Sequence, residues 1–178
     1  MTLSAPVIET ERMILRGPEA SDFEAYAAFM ESDRSHMTGG PMDRATAWRA
    51  FACEIGHWVL HGFGMWTATD RETGAIVGQA GFWMPEGWLE RELGWRLYEG
   101  FEGRGLAIEA ALALRGHAYE RLGWGPLISV IAPGNARSIQ LAERLGATLE
   151  RDDWTTPSGK AALIYRHPGV NAMQEVSA

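Results

Sequence analysis

Gly100-Phe101-Glu102-Gly103-Arg104-Gly105-Leu106-Ala107-Ile108-Glu109-Ala110 joins a strand-like run, Glu92-Leu93-Gly94-Trp95-Arg96-Leu97, to a helix. The helix is read from small or apolar residues at Leu106, Ala107, Ala110, Ala111, Leu114, Ala118 and Leu122, the i, i+3, i+4 spacing of one face. Glycines between a strand and a helix let the backbone turn with its N–H groups outward and let another molecule come close. The first helical turn carries unpaired N–H groups and a partial positive charge, and so receives anions. The stretch therefore reads as a pyrophosphate cradle, with an ordinary tight strand-to-helix turn as the plain alternative. A Walker loop is absent, and Gly103-x-Gly105 is followed by Ile108, so the Gly-x-Gly-x-x-Gly dinucleotide pattern is absent too.

Upstream, Glu9 to Arg16 reads as a strand with Met13 and Leu15 on one face, broken by Gly17-Pro18. Ser21 or Asp22 caps a helix through Phe23, Tyr26, Ala27 and Met30. A loop spans Ser35 to Pro41. Asp43 caps a second helix to about Leu60, with Ala47, Phe51, Ile55, Trp58 and Val59 on its buried face. Phe63–Thr69 and Ala75–Trp83 form a hairpin turned by Asp70-Arg71-Glu72-Thr73-Gly74, and Trp88–Leu97 is the next strand. Downstream, Pro126–Ile131 is a strand buried on both faces, Asn135 caps a helix to Leu145, and Gly146 stops it. Thr148–Trp154 and Ala162–Arg166 pair last, and the tail from Pro168 is loosely ordered. These elements add up to a mixed α/β sheet.

A chain of 178 residues with 46% hydrophobic and 22% charged residues is expected to form one soluble domain. The N-terminus lacks the basic and apolar regions of a signal peptide, and no apolar run approaches the ~18 residues of a membrane span. A cytoplasmic location is the default expectation. A net charge of −7 argues against nucleic acid as the main partner; it is compatible with a cationic substrate such as an amine, with solubility alone as the plain alternative. The single Cys53 excludes an internal disulfide and a cysteine-built metal site. His57 and His61 stand at i, i+4 without the glutamate of a zinc motif, so they read as a surface pair and no metal is expected. Of eight tryptophans, Trp83 and Trp88 are the candidates for an acceptor-pocket wall, the rest for packing.

Three separate stretches stand in one order along the chain. They are Thr10-Glu11-Arg12-Met13-Ile14-Leu15-Arg16, the glycine stretch, and Asn135-Ala136-Arg137-Ser138 running on to Leu141-Ala142-Glu143-Arg144-Leu145-Gly146-Ala147. Together they resemble the RimJ/RimL-type branch of the GNAT N-acetyltransferases over roughly residues 8–167. Gly103 and Gly105 match the acyl-coenzyme A loop of that family. Gly100 replaces its usual Gln or Arg, Glu102 is an unusual neighbour for a pyrophosphate, and Ala142 stands where many members carry a tyrosine acid.

The resemblance implies one domain over 1–178, with a core of 8–167 and a tail of 168–178. It implies a mostly antiparallel sheet splayed at the acyl-coenzyme A site and flanked by about four helices. Acetyl-coenzyme A would be the cofactor, held by Gly103, Arg104, Gly105, Leu106 and Ala107 at the pyrophosphate and by backbone around Trp95, Arg96 and Leu97 along the pantetheine arm. Gly94 would permit a bulge there, or simply allow packing. Ser138 would meet the leaving thiolate, or merely bond its own helix turn. Asn135 would cap its helix, bond the pantetheine, or both. Glu92 would act as base, with Glu90 as competitor on the same strand face and a solvated strand carboxylate as the plain alternative. The implied activity is direct transfer of acetyl to a primary amine, a protein N-terminus or a small molecule, in a ternary complex. Homodimers are common in the family. A non-catalytic acyl-coenzyme A sensor is the alternative of a different class, and a purely structural domain the third.

Overall fold

The computed structural model describes residues 5–169. Its strands are β1 (Ile8–Glu9), β2 (Met13–Arg16), β3 (Met65–Asp70), β4 (Ile76–Trp83), β5 (Glu92–Leu97), β6 (Ile128–Ile131), β7 (Thr148–Thr155) and β8 (Ala161–Arg166). Its α-helices are α1 (Phe23–Glu31), α2 (Arg44–His61), α3 (Leu106–Gly116) and α4 (Ala136–Arg144). The strands form one sheet in the order β1-β2-β3-β4-β5-β6-β8-β7. Every neighbouring pair is antiparallel except β5–β6, which is parallel and meets at one register pair, Glu92 with Ile128. This is the mixed α/β, mostly antiparallel sheet with four α-helices that the sequence led us to expect.

The main core lies between the sheet and α3. Met13, Leu15, Val77, Phe82, Leu93, Leu106, Ala111 and Leu114 are fully buried there, and each of these side chains larger than alanine stabilises the fold by roughly 1.5–3 kcal/mol. A second cluster joins Tyr26, Ala27, Phe29, Met30, Ala47 and Phe51 of α1 and α2 to Tyr98, just past β5. The cavity described below opens between this helical pair and β5.

Local details differ from the sequence reading. The first strand is two, folded back at Thr10-Glu11-Arg12. Thr10 explains the break, because its Oγ1 accepts from Met13 N–H at 3.0 Å and competes with ladder bonding. Asp22 stands at the N-cap of α1, but its side chain makes no cap bond to the helix. Its carboxylate is buried instead, bonded by Arg16 at 2.7 and 2.8 Å, by Thr67 Oγ1 at 2.7 Å and by the Glu19 N–H at 2.9 Å. Burial opposes ionisation of Asp22, but these donors hold its carboxyl below the usual range. Asp43 does cap α2, accepting from Thr46 N–H at 2.8 Å. The buried face of α2 is rotated from the expected one: Val59 is exposed, while Glu54 and His57 are buried.

His57 and His61 are not a surface pair. His57 Nδ1 bonds the Phe63 carbonyl at 2.8 Å, its Nε2 accepts from Met84 N–H at 3.1 Å, and its ring stacks between His61 and Trp83. The strand expected from Trp88 begins only at Glu92, because Pro85 to Trp88 closes a turn. At the other end of the described residues, Tyr119 Oη donates to the Pro168 carbonyl at 3.0 Å. The expectation for the rest of the tail, from residue 170, lies outside the described residues.

Candidate active site

β5 positions the site, and two alternations along it decide what points where. The Tyr98 N–H bonds the Val77 carbonyl at 2.9 Å, so in this antiparallel ladder the backbone of Glu92, Gly94 and Arg96 turns toward β4. The backbone of Leu93, Trp95 and Leu97 therefore turns toward β6. β6 meets β5 only at Glu92–Ile128 and then diverges. Ser129 Oγ donates to the Leu93 carbonyl at 2.6 Å where the strands part. Beyond it, the N–H groups of Trp95 and Leu97 face a gap that no strand among the described residues fills, donors that need a partner from a ligand or water. Of the three residues expected along the pantetheine arm, the ladder thus occupies the backbone of Arg96. No register shift occurs between β4 and β5, so Gly94 marks no bulge. It matters for a different reason: a Cβ there would press on Glu92 Oε1 at 3.3 Å.

At Trp95 the gap borders a cavity of about 590 Å³ whose lining includes Glu92, Gly94, Trp95, Arg96, Asn135 and Ser138; Leu97 lies beyond that lining. Trp83 and Trp88 line the cavity as well. Glu92 keeps some exposure as a residue, yet its carboxyl is enclosed by protein, and that enclosure governs its proton affinity. Burial pushes the Glu92 carboxyl up to about 8, against the weaker opposing pull of Trp88, the Val130 backbone and Arg96. Trp88 Nε1 donates to Glu92 Oε2 at 2.9 Å, which orients the carboxyl. Glu90, the competitor, is held elsewhere: Arg166 grips it with bonds of 2.7 and 2.8 Å and lowers its pKa.

Asn135 caps α4, its Oδ1 accepting from Ser138 N–H at 3.2 Å, which leaves its side-chain NH2 as a donor on the cavity wall. Among the described residues the Ser138 hydroxyl makes no hydrogen bond, not even to its own helix turn, so it too is uncommitted.

Gly103, Arg104, Gly105, Leu106 and Ala107 do not line this cavity; they form the end of the loop after β5 and the start of α3. Gly103 and Gly105 have φ of 72° and 77°, conformations that favour glycine. A Cβ on Gly103 would enter open space. Gly105 is the N-cap of α3, and among the described residues no side chain caps the helix. The first-turn N–H groups are therefore open to an anion, the cap being supplied from outside. The Leu106 side chain is fully buried, so its contribution there is backbone. Glu102 is explained by its partners: it pairs with Arg34 and accepts from Gly100 N–H at 3.1 Å.

The first and second sequence motifs meet here. Glu109 of α3 accepts from Thr10 Oγ1 at 2.6 Å, Arg12 N–H at 2.8 Å and Arg12 Nε at 2.7 Å, while Arg12 Nη1 donates to the Arg104 carbonyl at 2.7 Å. Burial works against a charged Glu109, yet these donors hold its pKa down. The Thr-Glu-Arg turn is thus a clamp on the glycine loop.

Sequence reasoning missed Glu54 and Tyr26, which line the same cavity, and Ser129 at the splay. A glutamate on a helix face otherwise read as apolar was the available signal for the first. An uncapped helix end, two strand N–H groups on the diverging edge of β5 and a cavity that reaches Trp95 fit an elongated ligand with an anionic end and an amide-bearing arm, as coenzyme A has. Among the described residues no cluster of metal-ligating side chains occurs and no helix is long and apolar enough to cross a membrane.

Comparison with known proteins agrees with that geometry. The model for the acetyltransferase (GNAT) domain matches residues 12–148. An acetyltransferase of known structure from Agrobacterium tumefaciens str. C58 is 41% identical with a TM-score of 0.85, over 94% of this chain and 97% of that one. RimL, a ribosomal L7/L12 α-N-protein acetyltransferase solved in complex with coenzyme A, shares the fold with a TM-score of 0.74 at 17% identity, over 94% of this chain and 99% of that one. Among curated proteins, the uncharacterized YkkB of Bacillus subtilis (strain 168) is 34% identical over 89 residues, 48% of this chain and 51% of that protein. The chain thus spans about half the length of that relative in the match.

Proposed function

This chain belongs to the GNAT acetyltransferase family, whose members use acetyl-coenzyme A, and from that premise we propose that it acetylates a primary amine by direct attack within a ternary complex. The acceptor is a small-molecule amine or a protein N-terminus, as in the RimJ/RimL-like branch to which the three motifs point. The reaction belongs to a single domain over 1–178 and to the cytoplasm.

Acetyl-coenzyme A, when bound, supplies an acetyl thioester. Gly103, Arg104, Gly105 and the first-turn N–H groups of α3 bind its pyrophosphate, with Leu106 and Ala107 contributing backbone. The N–H groups of Trp95 and Leu97, with Asn135, bind the arm and orient the thioester carbonyl, whose developing negative charge a fixed N–H stabilises. Glu92 takes the proton from the incoming ammonium, directly or through one water, so that the nitrogen lone pair is free to attack. Trp88 holds Glu92 in place, and Trp83 and Trp88 wall the acceptor end. The Ser138 hydroxyl donates a hydrogen bond to the sulfur as negative charge develops there and keeps its own proton, where many family members use a tyrosine and this chain has Ala142; the proton that the attacking nitrogen sheds on collapse is the one that ends on the thiolate.

One observation carries this reading: a carboxyl with its pKa pushed up to about 8 lines the same cavity as an uncommitted hydroxyl. A base poised near working pH is what the proton transfer needs. The test is thiol release from acetyl-coenzyme A with a panel of primary amines. Amine-dependent release supports acetyl transfer. Cofactor binding without turnover across the panel would make the protein a sensor.

A further inference from the structure

Glu54 is a carboxylate in this cavity that the reaction above does not use. It projects from α2 with a side chain 8% exposed and pairs with the Arg96 guanidinium, itself 10% exposed. Its Oε1 receives Arg96 and the Tyr26 hydroxyl, the latter at 3.3 Å, and Arg96 lies over the Tyr26 ring at 5.2 Å. Its Oε2 is buried and has no hydrogen-bond partner among the described residues. Buried carboxylate oxygens are rarely left so, because the unmet acceptor is costly. Glu54, Arg96 and Tyr26 all line the cavity that holds Glu92.

We propose that Glu54 Oε2 receives an uncharged hydrogen-bond donor at the far end of the acceptor, so that the substrate is an extended primary amine tipped with a hydroxyl or amide N–H. This rests on the acetyl-transfer reading and adds the acceptor's class to it. Three features argue for it. Glu92 and Arg96 point to the same face of β5 four residues apart, a span on the order of 13 Å at the Cα level. Between them lies only Gly94, over which the Glu92 carboxyl itself sits, so no other side chain of β5 stands on this face between the base and Arg96. The lining of the cavity also includes Met30, Met37 and Met42. Methionine side chains are flexible enough to yield to an entering tip, and the Met37 methyl lies where a Cβ on Gly134 would meet it at 3.1 Å, so it reaches from the 33–38 turn across to the loop before α4.

Charge selects the kind of tip. Glu54 and Arg96 already neutralise one another, so a second ammonium would remain uncompensated in a buried site. A neutral donor satisfies Oε2 without that penalty.

The experiment compares straight-chain primary amines of several lengths, each with a terminal hydroxyl, its methyl ether, or a second ammonium. Thiol release gives kcat/KM, and calorimetry gives binding of the same amines to the coenzyme A-loaded protein. The wild-type protein should prefer the hydroxyl to the ether by about tenfold or more at the best length, within the range expected when a buried group is left unpaired. Glu54→Gln should shrink or reverse that ratio. The amide oxygen must face the donors Arg96 and Tyr26, which puts the NH2 where Oε2 was and turns an acceptor into a donor.

Loss of folding or of general activity would lower every amine together and leave the ratio unmoved. Equal use of hydroxyl and ether by the wild-type protein overturns the proposal without any variant, as does an unchanged ratio in a Glu54→Gln protein whose melting temperature and coenzyme A affinity match those of the wild type. Preference for the second ammonium overturns the neutral tip. If no amine releases thiol, the acetyl-transfer reading fails, and calorimetric preference among the tips still decides the role of Glu54.

Discussion

The two ends of this site are built from different material. The cofactor end is backbone: left-handed glycines, an uncapped helix terminus and strand N–H groups that a diverging neighbour leaves unpaired. The acceptor end is side chain: Glu92 braced by Trp88, Glu54 paired with Arg96 and Tyr26, and a methionine-lined wall. Backbone recognition demands particular residues at particular spacing, because only glycine tolerates the conformation and the close approach. Side-chain recognition demands only that suitable groups converge, from whichever elements the fold brings together.

The contrast is tested most severely at Gly105. Replacing it with valine puts a β-branched residue at a φ of 77°, with its Cβ 3.4 Å from Arg12 Nη2. The local strain is about 1–3 kcal/mol. A folded Gly105→Val protein should lose measurable coenzyme A binding in calorimetry; unchanged affinity would move the anion site elsewhere.

At the acceptor end, Glu92→Gln should lower kcat/KM by roughly 10²–10⁴ while coenzyme A affinity holds. The wild-type dependence on ionisation near pH 8 should vanish with it, leaving only that of the amine. The same carboxyl affects stability. Its native pKa of about 8 lies above the ordinary 4.5, so between those values the native state holds a proton that the unfolded chain has released. Stability should therefore fall as pH rises from about 4.5 to about 8, and urea midpoints of Glu92→Gln should lack that decline. A slope identical in both proteins would show that the carboxyl ionises normally.

Ser138→Ala should reduce kcat by roughly ten- to a thousandfold, up to what the loss of one donor to a developing charge costs, with KM for acetyl-coenzyme A nearly unchanged. An alkyl thiolate departs tolerably unaided, which limits the effect. Ser138→Cys should restore little, a thiol being a weak donor. Full kcat in the alanine variant, with chemistry rate-limiting, would reduce Ser138 to a helix residue.

Arg12→Ala should have a smaller and different effect. It leaves Glu109 with fewer donors and frees the Arg104 carbonyl, so cofactor affinity should drop while kcat at saturation holds. Arg12 is 43% exposed, so thermal melting should report a loss of only about 0–1 kcal/mol. A drop confined to kcat would place the clamp in the acceptor half instead. The smallest effect concerns net charge: kcat/KM for a cationic acceptor should decline as salt rises and shortens the screening length below ~10 Å. A flat profile for every accepted amine would remove steering by the acidic surface.

The sequence by itself determined the order of strands and helices, the sheet class, the glycine turn into α3, the Asp43 and Asn135 caps and the membership of Met13 and Leu15 in the core. These follow from periodicity, capping chemistry and glycine's conformational range, which act within a few residues. Tertiary structure alone decided that the Thr10–Arg12 turn clamps Glu109, that Asp22 bonds Arg16 and Thr67 rather than its helix, and that Ser129 bonds Leu93 where β6 parts from β5. It also separated Glu92 from Glu90, two residues apart, sending one to the cavity and the other to Arg166. Glu54 was hidden for the same reason: its partners lie 28 and 42 positions away, at Tyr26 and Arg96. Whether a polar side chain is solvated, paired or aimed at a ligand depends on which distant elements close over it, and no local pattern records that.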